Sequence, residues 1–166
     1  MQNRGLKPRE ETCLSRKIQL EAESKKVVLI VDDEESDRTL LALMLGKVGV
    51  ANRIAFVTDG LQAIQYLKGD PPYADRTKHC FSSVMFLDLK LPVINGWGVL
   101  EWVKEMSLKG KMRIFAYSEL GNVAEVKRIY NLGADSFLKK PATGSELRSL
   151  IQHFGEPWEL KSGFAT

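Results

Sequence analysis

Three aspartates and one lysine stand where their side chains could do phosphoryl chemistry. Asp32 and Asp33 end the apolar run Val27-Val28-Leu29-Ile30-Val31, and Asp88 ends a second run, Val84-Met85-Phe86-Leu87. Lys140 follows a third short segment, immediately before Pro141. Four of the five residues in the first run are β-branched, so it reads as a buried strand that runs into the acidic stretch Asp32-Asp33-Glu34-Glu35. If the first two runs are parallel neighbours, their carboxylates meet at one edge of a sheet. Carboxylates gathered there repel, and at least one pKa rises unless a cation is present. Mg²⁺ suits such a site, because it takes one or two carboxylates, keeps waters and leaves positions open for phosphate oxygens. A carboxylate beside the metal can attack phosphorus in line and become an acyl phosphate. A lysine then offers a point charge to the transferred oxygens, and a hydroxyl offers a movable hydrogen bond. Asp88, Lys140 and Ser118 fit those three roles.

Each residue also has an ordinary explanation when taken singly. Acids at a helix start favour its dipole, which accounts for Glu34 and Glu35 and would account for Asp32 and Asp33 as well. Asp88 and Ser118 could be caps, and Lys140 a surface lysine. Convergence decides between the readings, and convergence depends on the elements that carry these residues.

Length and composition allow one ordinary domain: 166 residues, 44% hydrophobic and 27% charged. The net charge of +3 belongs to the first 26 residues, with seven Lys/Arg against four Asp/Glu, while the remainder balances at 17 of each. A neutral folded part excludes the one-sided basic face of a nucleic-acid binder. The apolar runs are too short for a membrane span or a signal peptide, so a cytoplasmic protein is expected. Cys13 and Cys80 have no metal-type spacing and suggest no disulfide framework.

Residues 1–24 read as a tail or leader, with a helix that docks on a partner as the alternative. From residue 25 the pattern alternates. A helix is expected over 36–48, a strand over 53–58, a helix over 61–68, and then a long polar loop over 69–82 containing Pro71-Pro72. The strand 83–87 carries Asp88, and the turn signals Leu91-Pro92 and Asn95-Gly96 precede a helix over 97–106. A strand over 111–117, a helix over 123–132 stopped at Gly133, a strand over 136–139 and a helix over 145–154 complete the domain. Strict alternation implies a doubly wound α/β fold with helices on both faces of a parallel sheet. For five strands the flavodoxin-like order is 2-1-3-4-5, and its winding reverses between strands one and three. Ligands bind outside the carboxyl ends of the strands at that reversal, where Asp32, Asp33 and Asp88 stand.

These residues resemble the receiver domain of two-component response regulators. The resemblance rests on Val31-Asp32-Asp33-Glu34, on Leu87-Asp88-Leu89-Lys90-Leu91-Pro92 followed by Asn95-Gly96, on Ser118, and on Lys140-Pro141. Ser118 and Lys140 follow Asp88 by 30 and 52 residues, as in that family. The resemblance covers about 25–154 and leaves 155–166 as a tail, so a stand-alone receiver is expected, loosely similar to those that accompany phytochromes. It implies that Asp88 is the phosphoacceptor and Asp33 a direct Mg²⁺ ligand. It further implies that Asp32 belongs to the metal shell and that the Lys90 carbonyl is the remaining protein ligand. Ser118 and Lys140 would contact the phosphoryl group, and Lys140-Pro141 is expected to be cis.

A histidine kinase or hybrid kinase is the implied donor, and a downstream protein or phosphotransfer protein the implied reader. The domain would catalyse only its own phosphorylation and dephosphorylation. The switch would run from Ser118 to an aromatic ring, Phe137, on the face of the fourth helix, fifth strand and fifth helix, which could also form a homodimer. Phe137 stands where receivers often have Tyr, and simple core packing is its other reading. Glu119 occupies a position that is usually small, and a Lys90–Glu119 salt bridge gating the pocket is expected, with both side chains pointing to water as the alternative. The resemblance also ties self-dephosphorylation to Lys90 and Leu120, without a sign. Trp158 and Phe164 are expected to be covered by the domain or by a second copy. The rival reading is a receiver-like adaptor independent of phosphate.

Overall fold

The run Val27–Val31, strand β1, is buried at all five positions and lies in the sheet between two neighbours, the place a continuous apolar run takes in a parallel sheet. The computed structural model describes residues 26–119 and 121–164. After β1 come α1 (Glu35–Lys47), β2 (Arg53–Val57), α2 (Gly60–Lys68), β3 (Ser82–Leu87) and α3 (Gly96–Glu105). They are followed by β4 (Arg113–Ser118), α4 (Val123–Asn131), β5 (Ser136–Lys139) and α5 (Gly144–Phe154). The strands are parallel in the order β2-β1-β3-β4-β5, so the expected doubly wound, flavodoxin-like architecture is borne out. The readings of residues 1–24 and of Leu120 fall outside the described residues.

Alternation along the strands divides the core into two layers. Val28, Ile30, Val84, Phe86, Phe115 and Tyr117 face Leu41 and Leu45 of α1 and Leu147, Leu150 and Ile151 of α5. Leu29, Val31, Met85, Leu87, Ile114 and Ala116 face Ala63 and Leu67 of α2, Val99, Leu100 and Val103 of α3, and Ile129 of α4. The strand expected from Lys111 begins at Arg113 instead. Gly110, at φ +86°, turns the chain there, and Met112 bridges back to Lys109.

The long 69–82 loop is anchored to the helix it leaves. Gly69 takes the left-handed conformation that ends α2. The Arg76 guanidinium then donates to the helix-end carbonyls of Tyr66 and Leu67 and to that of His79. Tyr66 donates to the Cys80 carbonyl, and its ring packs with those of Tyr73 and His79.

Residues after α5 close the amino-terminal edge of the sheet. Trp158 is buried and stacks on Phe115, with ring centroids 6.1 Å apart. Ala51 donates to the Glu159 carbonyl and Lys161 to that of Gly49, an antiparallel contact with the α1–β2 connection. The Asn52 amide donates to the carbonyls of Lys26 and Pro157 and accepts from the Glu159 N–H. Phe164 lies over Gly49 and stays partly exposed. Of the two coverings expected for Trp158, the domain's own core is the one observed. Trp158→Ala should therefore lower unfolding free energy by about 3–5 kcal/mol in urea denaturation, the cost of emptying an aromatic core position. A loss under about 1 kcal/mol would show that the tail is not part of the core.

Candidate functional site

The hydrogen-bond ladder runs one residue beyond three of the strands, and this places the reactive side chains. Val31 of β1 is in register with Val57 of β2 and Leu87 of β3, and Ser118 of β4 with Lys139 of β5. Beyond those residues Asp32 N–H donates to Val57, Asp88 N–H to Val31, and Lys140 N–H to Ser118. Asp32, Asp88 and Lys140 thus leave the sheet at one edge with their backbones still paired. Gly96 begins α3 directly against Asp88: a Cβ there would lie 2.2 Å from the Asp88 carbonyl oxygen. The sequence turn signal Asn95-Gly96 is the start of that helix, with the Asn95 side chain accepting from Gly98 N–H as its cap.

Lys140 Nζ lies 2.5 Å from Asp32 Oδ2, 2.8 Å from Asp88 Oδ2 and 2.9 Å from Asp37 Oδ2. An ammonium has three hydrogens, and each carboxylate can take one. The Lys140 side chain is 7% exposed and that of Asp32 1%. Asp32 Oδ1 accepts from Glu34 N–H, and its carbonyl accepts from the Arg38 guanidinium. Asp88 Oδ1 accepts from Lys90 N–H. Asp33 is exposed, yet carboxylate oxygens of Asp32, Asp33 and Asp88 lie within 4.8 Å of one another. Burial pushes the Asp32 carboxyl up, opposed by its bonds to Lys140 and Glu34 N–H. Burial would lower Lys140, but its bonds to Asp32, Asp88 and Asp37 outweigh that and hold it above the ordinary lysine value. Burial thus sets the direction for Asp32, and the three acids around one ammonium set it for Lys140.

Ser118 is fully buried at the end of β4, and Lys140-Pro141 is cis. Phe137 is half-buried against the α2–α3–α4 layer, and its ring tip lies 2.9 Å from where a Cβ on Gly121 would stand. The ring therefore touches the connection that follows Ser118. Beside it, α4, β5 and α5 form a groove of about 650 Å³, lined in part by Tyr130, Asp135, Glu146, His153 and Phe154. Glu34 and Glu35 are exposed at the start of α1.

Two features differ from the sequence reading. Lys90 and Glu119 are both exposed and make no ion pair with each other, because two mobile charged side chains in water gain too little to be held together. Asp37, which the strand-end pattern does not single out, contacts Lys140. Its signal was present, since Asp37, Leu41 and Leu45 are four residues apart and share the inward stripe of α1.

A five-stranded doubly wound domain with paired acids and a lysine at its reversal edge defines a class, and comparison with known proteins gives the family. The response regulator receiver domain matches residues 28–152, and the chain belongs to that family. A two-component response regulator-like protein of Arabidopsis thaliana, APRR5, is 32% identical over 138 residues, which cover 83% of this chain and 22% of that protein. The chain spans less than half the length of two curated relatives that are 32% and 30% identical to it. Among solved structures, the bacteriophytochrome response regulator AtBRR is 29% identical with a TM-score of 0.72, covering 84% of this chain and 99% of that one. The phosphorylated cyanobacterial phytochrome response regulator RcpA is 25% identical with a TM-score of 0.66, covering 86% and 98%.

The charge arrangement has a direct consequence for stability. Lys140→Met would leave Asp32 and Asp88 buried without a cation, at a cost of about 3 kcal/mol in metal-free buffer at neutral pH. The buried Asp32 carboxyl, already raised by burial and now without its lysine partner, would bind its proton more tightly in the folded chain than in the unfolded one, so stability should recover as pH falls through its raised value. Urea denaturation at neutral and mildly acidic pH measures both; a loss independent of pH would place the defect elsewhere.

Proposed function

We propose that this chain is a phosphoaccepting switch: it takes a phosphoryl group from a histidine kinase onto Asp88 and changes a protein-binding surface. The observation that carries this reading is Asp88 itself, buried at a strand end beside two further carboxylates and within 2.8 Å of Lys140 Nζ. The donor set, carboxylates crowded around one ammonium, fits a hard divalent cation. Asp32, Asp33, Asp88 and the Lys90 carbonyl would hold Mg²⁺, which when bound offsets the charge of the acids and of the incoming phosphoryl group. One Asp88 oxygen attacks phosphorus, an O–P bond forms, and the bond from phosphorus to the donor breaks with its electron pair leaving on the donor. Lys140 moves its ammonium toward the transferred oxygens, and the Ser118 hydroxyl turns inward to donate to them.

The proposed receiver unit spans residues 25–154, with the donor a sensor or hybrid kinase. The α4–β5–α5 groove is the surface the phosphoryl group would control, through the contact between Phe137 and the connection after Ser118. That groove would receive a downstream protein, a phosphotransfer protein or a second copy. The phosphorylated form of RcpA supports the chemistry by likeness. No helix among the described residues is long and apolar enough to cross a membrane.

Incubation with Mg²⁺ and acetyl phosphate or phosphoramidate should add one phosphate-sized increment to the intact mass, absent in Asp88→Asn and without Mg²⁺. No increment in the wild-type chain sinks the reading. A second expectation concerns the switch: Gly121→Ala should displace the Phe137 ring in the unphosphorylated protein and shift its aromatic NMR signals. Unchanged ring signals would detach Phe137 from the connection after Ser118.

A further inference from the structure

Asp37 has no place in the phosphoryl chemistry above, yet it takes one of the three hydrogen bonds of the Lys140 ammonium, 2.9 Å away. It lies outside the cluster formed by Asp32, Asp33 and Asp88. It belongs to a different element from the other two partners, being in the first turn of α1 on the stripe that continues through Leu41 and Leu45. An aspartate in a first helical turn ordinarily needs no explanation beyond the dipole. Here the same turn holds Glu35, which is exposed and offers the dipole a charge of the same sign without contacting Lys140.

A cation bound between Asp32 and Asp88 must compete with Lys140, because the ammonium occupies Asp32 Oδ2 and Asp88 Oδ2. Once a metal takes those oxygens, Lys140 needs another anion or is left buried and facing a second positive charge. Asp37 is that anion, already in contact and only partly exposed, so the ammonium can shift toward α1 without leaving the pocket. We propose, on the reading of this site as a divalent-metal phosphoacceptor, that Asp37 is a positioning residue that holds the Lys140 ammonium on the α1 side and so lets a metal ion take Asp32 and Asp88.

The effect runs through Lys140, so a double-mutant cycle isolates it. In metal-free protein, the unfolding free energies of wild type, Asp37→Asn, Lys140→Met and the double variant should show coupling, with Asp37→Asn destabilising only where Lys140 is present. In Mg²⁺ titrations followed by calorimetry, Asp37→Asn should weaken binding about fivefold, the scale of one partly exposed ion pair. Asp37→Glu should recover most of the affinity, Glu35→Gln should change it less than twofold, and Asp37→Asn should have no effect in the Lys140→Met background. Equal effects of Asp37→Asn and Glu35→Gln, or additive stabilities in the cycle, would reduce Asp37 to a helix-dipole residue and overturn the proposal. If wild-type protein binds no Mg²⁺ at all, the metal-site reading fails and the positioning role falls with it. If wild type binds and Asp37→Asn binds equally well, the positioning role alone fails.

Discussion

A single ammonium group, that of Lys140, is shared by carboxylates from β1, α1 and β3 at the carboxyl edge of the sheet. Without it, Asp32 and Asp88 would face each other nearly dry, and their repulsion would act on the strand ends that carry them. With it, the pocket still holds more negative than positive charge, since Asp33 adds a further carboxylate to the same cluster. A buried pair of this kind adds little net stability, because desolvation offsets most of the attraction. What it provides is an oriented set of acids with an unmet demand for positive charge.

That orientation comes from the backbone. Each of the three central groups, Asp32, Asp88 and Lys140, is the first residue past a strand, and each still donates its N–H to the neighbouring strand. The side chains therefore inherit the rigidity of the ladder. Gly96 lets α3 start against the Asp88 carbonyl, where any Cβ would collide with it. The Asp32 carboxylate also takes the Glu34 N–H at the start of α1, whose own cap residue makes no side-chain hydrogen bond. The acid that faces Lys140 thus also accepts a backbone hydrogen bond at the start of the first helix.

The fold was legible because its signals are local and repeated: apolar runs of strand length, helical stripes between them, and an acid or lysine at the strand ends. The site was legible in the residues that strand logic places, Asp32, Asp33, Asp88, Ser118 and Lys140, and less so elsewhere. Asp37 was passed over because acids in a first turn have an ordinary explanation, although its four-residue spacing to Leu41 and Leu45 aims it inward. The Lys90–Glu119 pairing failed for the opposite reason: opposite charges flanking a site say nothing about reach, and exposed pairs gain little. The burial of Trp158 depends on a contact with Phe115 across 43 residues of chain, which no local period encodes. Arg76 is similar, since only the folded loop brings its guanidinium to the end of α2.

The two edges of the sheet carry opposite kinds of energy. At the amino edge the chain after α5 adds a stacked indole, an antiparallel contact and the Asn52 amide, which donates twice and accepts once, against one cost, the buried Trp158 indole N–H that meets no acceptor. At the carboxyl edge, like charges are held close together and one cation is divided among them. Native chains concentrate such conflict where they act and offset it elsewhere. β5 joins the conflict to a surface: it is four residues long, it ends beside Lys140, and Phe137 within it touches both the connection after Ser118 and the α4–β5–α5 groove. A strand that short has few other contacts to absorb a change. Phe137 stands three residues before Lys140 and against Gly121, three residues after Ser118, so the carboxyl edge and the groove share this one ring.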